Sequence, residues 1–199
     1  LFPYTTLFRS CAVVLVLALS PLLGKSTKLN ANSSSLPVQY SDASWAYSYK
    51  DLNELADKSD LIALVKIAGV NKEFQKDNID FTTYNATVED AIVNSEDNQN
   101  VILYMTGINN NTKHIEIRDD PLPNKDDEFL IFAKKNSDGT YTILGGPQGR
   151  LTYKDGKLNS LNHVSDRVGA TNIEMVNKDF DDLKSKIKEH KINKEVNID

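Results

Sequence analysis

The stretch EFLIFAKKNSDGTYTILGGPQGRLTYKDGKLNSL, residues 128–161, carries the clearest strand and turn signals of the chain. It holds four short segments of strand-like sequence, and a turn sequence separates each segment from the next. NSDG at residues 136–139 marks one hairpin. DG at residues 155–156 marks a second hairpin, of the two-residue type that needs positive φ angles. Turns at this spacing predict consecutive antiparallel strands.

The first of these segments, EFLIFAK at residues 128–134, is the strongest strand signal in the chain. Side chains alternate between the two faces of a strand. We therefore expect Phe129 and Ile131 to face one side and Leu130 and Phe132 to face the other. At least one of these pairs should belong to the core.

Further strands are predicted upstream. LIALVKIAGV at 61–70 is almost wholly apolar, as in a strand buried along much of its length. FTTYNATVEDAIV at 81–93 alternates and predicts a long strand that bends near residues 89–90. VILYMT at 101–106 predicts another strand, and residues 114–118 predict a weak edge strand. The total is about seven short strands.

Two helical patterns flank the strands. A short helix is predicted from Ser48 and ends at Ser59-Asp60, and a second helix is predicted over residues 177–190 with Phe180, Leu183 and Ile187 on one face. The fold class is therefore mainly β, a β-barrel or sandwich of OB-like form, with a short N-terminal helix and a C-terminal amphipathic helix. We assign the barrel domain to residues 48–165 and the C-terminal helix and tail to residues 166–199.

The amino-terminal residues carry two signals. Residues 1–10, LFPYTTLFRS, match the translation of a sequencing adapter, CTC TTT CCC TAC ACG ACG CTC TTC CGA TCT, and we interpret them as an artefact that replaces the natural start. Residues 11–31 contain the uncharged apolar run CAVVLVLALSPLL, whose length suits a truncated signal peptide. We expect a secreted or extracytoplasmic protein, with an uncleaved membrane anchor as the alternative.

Charge and cysteine content exclude several classes of protein. The whole chain has a formal charge of −5, and residues 32–199 hold 20 bases against 28 acids, so a nucleic-acid-binding surface is not expected. Its single cysteine lies at position 11, which excludes a disulfide framework and a multi-thiolate metal site. We expect no bound metal and no cofactor.

Several stretches resemble an uncharacterised group of exported bacterial proteins. The opening half of the likeness is the helix and strand of residues 51–70, and the later half is DEFLIF at 127–132, DGTY at 138–141 and GGPQGR at 145–150. The order of elements also resembles the netrin or tissue-inhibitor-like OB barrel. The resemblance implies a barrel fold over residues 48–161. The metalloprotease inhibition of that fold uses an N-terminal cysteine, which residues 32–199 lack, so it is not carried over.

The glycine-rich stretch GGPQGR is the first candidate binding site. Glycine permits close approach of the backbone, and an amide and a guanidinium fork follow. These groups could hold a carboxylate or a phosphate, and the alternative is a tight strand connection in which the arginine pairs with an internal acid. The candidate residues are Gly145, Gly146, Gln148, Gly149 and Arg150.

The second candidate binding site is an aromatic cluster. It begins in residues 32–47, which are predicted to be a linker, and it ends just beyond them. Tyr40, Trp45, Tyr47 and Tyr49 are closely spaced, and aromatic faces of this kind stack on sugars or pack into a partner. Trp45 and Tyr47 are taken as the binding candidates. The alternative is that the segment packs on its own domain and covers an open end of the barrel.

No catalytic residues are predicted. His114, His163 and His190 lie in different segments, and Ser160, His163 and Asp166 are too close in sequence to form a triad. We therefore expect a non-enzymatic module that binds a protein partner at the cell envelope or outside the cell. The alternative is a module for a glycan, such as a cell-wall component, or for a small anionic ligand. A hydrolase with an unassigned site ranks third.

Overall fold

The computed structural model describes residues 36–161 and 175–196. The adapter-like residues, the predicted signal peptide, His163 and Asp166 lie outside this part of the chain. The strands are β1 (Gln39–Ser41), β2 (Leu61–Lys76), β3 (Ile79–Val93), β4 (Asn100–Asn109), β5 (His114–Ile117), β6 (Glu128–Lys135), β7 (Tyr141–Ile143), β8 (Arg150–Lys154) and β9 (Lys157–Asn159). The helices are α1 (Leu52–Lys58) and α2 (Phe180–Val196), with a 3₁₀ turn at Gly146–Gly149.

Five strands close into a β-barrel. β2 pairs antiparallel with β3 and β6, and β3 pairs antiparallel with β4. The closing strand is β7, which pairs parallel with β4 and antiparallel with β6. The strand order around the barrel is therefore β2-β3-β4-β7-β6, and of the two predicted mainly-β architectures the chain adopts the barrel rather than the sandwich.

The barrel interior is filled by alternate side chains of its strands. On β2 these are Leu61, Ala63, Val65 and Ile67, all of them almost inaccessible to solvent. Tyr84 and Leu103 belong to the same cluster from β3 and β4. Each fully buried Leu or Ile side chain contributes about 2 kcal/mol relative to an exposed one.

A second core lies outside the barrel and explains why β6 is apolar on both faces. Phe129 and Ile131 point into the barrel, whereas Leu130 and Phe132 belong to the outer cluster, as predicted. Both pairs are buried. α1 and α2 cover this outer side of the barrel, and α2 does so through Phe180, Leu183 and Ile187, the predicted apolar face.

α1 begins at Leu52 because Asp51 caps it. The Asp51 side chain accepts a hydrogen bond from the Glu54 backbone N–H at 2.8 Å, which satisfies a free donor of the first turn. Three residues predicted to open this helix, 48–50, precede it in the structure. The prediction of α2 over residues 177–190 is wrong at both ends, because the helix begins at Phe180 and extends to Val196.

One carboxylate joins the two helices. Asp57 on α1 accepts hydrogen bonds from Lys194 Nζ at 2.6 Å and from His190 Nε2 at 3.0 Å on α2. Burial alone would raise the pKa of the Asp57 carboxyl, but these two hydrogen bonds outweigh it and hold the pKa below its ordinary value.

The short strands at the margins add to the barrel. β5 pairs antiparallel with the end of β4, and β1 pairs parallel with β5. β1 lies in the segment predicted as a linker. Its three exposed residues form a strand only because the edge of β5 is available to them. No helix within residues 36–161 and 175–196 combines the length and apolar character needed to cross a membrane.

Candidate functional site

The GGPQGR loop connects β7 to β8 as a buried 3₁₀ turn. Gly145 opens the turn with φ = 62°, in the left-handed region that a glycine adopts without strain. The four residues of the turn, Gly146–Gly149, are all buried. Their side chains and backbone therefore face the protein itself rather than open solvent.

Gln148 binds the backbone of a distant segment. Its Oε1 accepts a hydrogen bond from the Tyr49 N–H at 3.0 Å, and its Nε2 donates to the Tyr49 carbonyl oxygen at 3.2 Å. This pair of bonds holds the segment that leads into α1 against the loop. The amide proposed as a ligand-binding group thus has an internal partner on both of its ends.

Arg150 is 1% exposed and contacts four groups of the protein. Its Nη2 donates to Asp120 Oδ1 and to the Pro121 carbonyl oxygen, each at 2.6 Å. Nη1 lies 3.8 Å from Met105 Sδ, and the guanidinium lies 5.0 Å from the centre of the Phe129 ring. One nitrogen makes both oxygen contacts, so the guanidinium does not bind the carboxylate as a two-pronged fork.

The charge of Arg150 is matched internally. Burial raises the pKa of the Asp120 carboxyl, while the adjacent guanidinium acts in the opposite direction and favours the ionised form. Arg150 also lines a cavity, together with Asp126, Asp127 and Glu128. The lining also contains Lys154, and Glu128 pairs with Lys66, so Asp126 and Asp127 are its carboxylates without a salt bridge among the described residues. Because Asp120 already pairs with Arg150, an anionic ligand is not favoured at this position.

Trp45 packs on the glycine-rich loop. A Cβ atom placed on Gly146 would lie 2.2 Å from Cζ2 of the Trp45 ring, so the glycine gives the indole its room. The structure thus brings together the two candidate sites that the sequence treated separately. Trp45 still keeps 39% of its surface exposed.

Tyr47 lies by α1 rather than on the loop. Its hydroxyl donates a hydrogen bond to Glu54 Oε1, and its ring lies 4.8 Å from that of Tyr49. The hydrogen bond raises the pKa of the Tyr47 hydroxyl and lowers the pKa of the Glu54 carboxyl. Tyr47 therefore stabilises the turn into α1, with about half of its surface exposed.

A surface that the sequence did not reveal lies on the outside of the barrel. Phe74 on β2, Phe81 on β3 and Tyr104 on β4 form an aromatic trio in which every pair of rings is in contact. All three side chains are half-buried. Each residue is an ordinary alternating position of its own strand, and only the pairing of three strands joins them.

Phe81 also lines a cleft of about 530 Å³. Trp45 forms part of this cleft, as do Ile79 at the start of β3 and Ile115 and Ile117 on β5. The polar residues of the cleft are Ser41, Asp42, Ser44, Asn78, Asp80 and Thr106. We call this concave surface the Trp45 cleft.

The described histidines contact carboxylates. His114 lies 2.8 Å from Glu116 and His190 lies 3.0 Å from Asp57. Within residues 36–161 and 175–196, no cluster of His, Cys, Asp or Glu side chains is arranged to hold a metal ion.

Comparison of the chain with models of protein families, with curated proteins and with solved structures found no match. The contacts described above are therefore the basis for a proposed function.

Proposed function

We propose that this protein is an exported, non-enzymatic β-barrel module that binds a partner at the cell envelope or outside the cell. The supporting observation is the asymmetry of the barrel surface. α1 and α2 cover one side, where Ile62 on β2 and Val93 on β3 belong to the cluster beneath them. The opposite ends of these two strands, together with β4, carry the aromatic trio, and the Trp45 cleft adjoins it. No residue of α1 or α2 lines this cleft. Exposed apolar surface with a polar rim is typical of binding sites.

The barrel itself is proposed to be OB-like, of the netrin or tissue-inhibitor kind. The order β2-β3-β4-β7-β6, with β4 and β7 parallel, supports this proposal. The similarity to an uncharacterised group of exported bacterial proteins remains part of the proposal. In that setting, GGPQGR acts as a structural connection that holds the segment before α1.

Export is proposed from the apolar run of residues 11–23. The absence of catalysis is proposed from the contacts of the two described histidines, whose hydrogen bonds go to Glu116 and Asp57 and to no hydroxyl or thiol in the described chain. A histidine that is hydrogen-bonded to a carboxylate but to no hydroxyl or thiol lacks the nucleophile–base pair on which acyl transfer by a side-chain nucleophile depends.

The class of partner is proposed in two steps. A protein partner is the first expectation from the sequence, because exposed aromatic residues are common at protein interfaces. A glycan is the second candidate, and the concave Trp45 cleft with its polar rim specifically favours it. A small anion at GGPQGR is not favoured, because Asp120 neutralises Arg150.

The test is saturable binding of the purified protein to envelope fractions, with variants that separate the two sides of the molecule. Ile79→Lys places a charge at the edge of the Trp45 cleft, where Ile79 is 49% exposed. Ile192→Lys makes the same change on α2, where Ile192 is 60% exposed. We expect saturable binding that Ile79→Lys weakens and Ile192→Lys leaves unchanged. Binding that never saturates, or equal effects of both variants, would refute the proposal.

A further inference from the structure

We infer that the Trp45 cleft binds a neutral β-1,4-linked oligosaccharide. This inference rests on the proposed partner-binding function and names its ligand. The cleft volume of about 530 Å³ falls within the usual range for small-ligand sites. It is therefore large enough to enclose one or two sugar rings of a chain that continues outside it.

The walls of the cleft suit the faces of pyranose rings. In a β-1,4-linked chain most ring substituents are equatorial, so each ring has a flat face of C–H groups. Such faces pack on aromatic rings, whose π-faces carry partial negative charge. Trp45 supplies an exposed indole, and Phe81 supplies a second aromatic wall.

Polar groups around these walls can bind sugar hydroxyls. Asp42 accepts from Arg118 Nε at 3.2 Å, and Asp80 accepts from Lys113 Nζ at 2.8 Å. The contact of Asp42 uses its Oδ1 atom, and the Asp42 side chain is 76% exposed, so its Oδ2 atom stays open to a donor, whereas the Asp80 side chain is 9% exposed. Neutral ligands that offer several hydroxyl donors fit such a rim better than anions do.

The aromatic surface continues beyond the cleft. Phe81 lies 5.7 Å from Phe74 and 4.9 Å from Tyr104, measured between ring centres. Phe81 is thus shared between the cleft and the aromatic trio on the outside of the barrel. Because aromatic side chains continue from the cleft onto the barrel surface, the site suits a chain of sugar rings that extends beyond the cleft rather than a single sugar.

Charge argues against other extended polymers. Acids outnumber bases by 28 to 20 in residues 32–199, and Asp42 and Asp80 stand at the rim of the cleft. Asp42 and Asp80 pair with Arg118 and Lys113, so the net negative charge of the domain, rather than these two carboxylates, disfavours a nucleic acid or a phosphorylated glycan. A protein segment remains an outcome of the test.

The experiment uses two neutral probes, cellotetraose and tetra-N-acetylchitotetraose, titrated into the purified protein. Trp45 is the only tryptophan of the chain, so the change in tryptophan emission reports directly on the cleft. We expect saturable binding of at least one probe with a Kd of about 0.1–1 mM. Ile79→Lys should weaken it by about tenfold or more, and Ile192→Lys should leave it unchanged. Circular dichroism checks that both variants are folded.

The possible results distinguish the sugar inference, its assignment to the Trp45 cleft and the proposed partner-binding function. Sugar binding that Ile79→Lys weakens supports the inference. Sugar binding that Ile79→Lys leaves unchanged overturns the assignment to the Trp45 cleft. If neither probe binds while envelope fractions still bind saturably, the inference is overturned and the proposed function stands, whatever the captured component is. If neither probes nor envelope fractions bind saturably, both are overturned.

Discussion

Arg150 places a positive charge in the interior next to Asp120, and the stability of the fold depends on both members of this pair. Arg150→Ala leaves the Asp120 carboxylate buried without its cation. We expect the free energy of unfolding at pH 7 to fall by about 3–5 kcal/mol, as for other broken buried pairs. Chemical denaturation of the wild type and the variant measures this difference.

The loss should depend on pH. In Arg150→Ala, burial without a cation keeps the folded-state pKa of Asp120 above its unfolded value, so folding takes up a proton. The variant should therefore regain stability as the pH falls through that folded-state pKa. Because Nη2 alone makes the two oxygen contacts, Arg150→Lys should recover part of the loss. An unchanged midpoint for Arg150→Ala would contradict the structural role.

Gly146 determines whether Trp45 can pack on the loop. Gly146→Ala places a methyl group 2.2 Å from the indole at a φ of +55°, so we expect the indole to be displaced. Gly139→Ala is the matched control, since Gly139 also has a positive φ but its added Cβ meets nothing within 4 Å. The control should cost about 1–2 kcal/mol from backbone strain alone.

Gly146→Ala should lower the free energy of unfolding more than Gly139→Ala does. It should also shift tryptophan emission to longer wavelength, whereas Gly139→Ala leaves the emission unchanged. Equal losses and equal emission in the two variants would show that Trp45 does not depend on Gly146.

At the scale of elements, the contact between α1 and α2 predicts a pH dependence. The pKa of Asp57 is lower in the folded protein than its ordinary, unfolded-state value. Its pairing therefore stabilises the fold fully at pH values above that ordinary pKa. This contribution is lost as the pH falls through the folded-state pKa. Asp57→Asn should lower the free energy of unfolding by about 0.5–1 kcal/mol near neutral pH.

The difference in the free energy of unfolding between wild type and Asp57→Asn should shrink toward zero in acid, because a protonated Asp57 forms no ion pair with His190 or Lys194. Glu96→Gln serves as the control, because Glu96 is exposed and its carboxylate makes no hydrogen bond or ion pair with the described residues. Urea unfolding at a series of pH values measures both variants. A constant difference across the series would argue against the pairing.

At the scale of the whole molecule, the apolar run of residues 11–23 predicts export. Produced in a bacterial host with a start methionine, the protein should appear outside the cytoplasm, shortened by cleavage near residues 24–32. Mass spectrometry of the recovered protein locates the new amino terminus. Uncleaved protein that stays in the cytosol would contradict export.

The candidate site shows how far sequence reasoning reaches. GGPQGR connects two strands, as its glycines and proline predict, because these residues mark connections locally. The partners of its side chains could not be read in this way. Gln148 binds Tyr49, 99 positions away in the chain, and Arg150 binds Asp120, 30 positions away. The aromatic trio likewise depends on the pairing of three strands.

Local sequence patterns are sufficient to predict the strand-rich class, the hairpin turns, the opposite faces of β6 and the apolar face of α2. These features follow from side-chain periodicity and turn residues, which act over a few positions. Only the tertiary structure decided that β7 closes the barrel by pairing in parallel with β4, and that Trp45 meets Gly146. Such pairings join residues far apart in the chain, and their free energy depends on the packing of the whole molecule rather than on any local pattern.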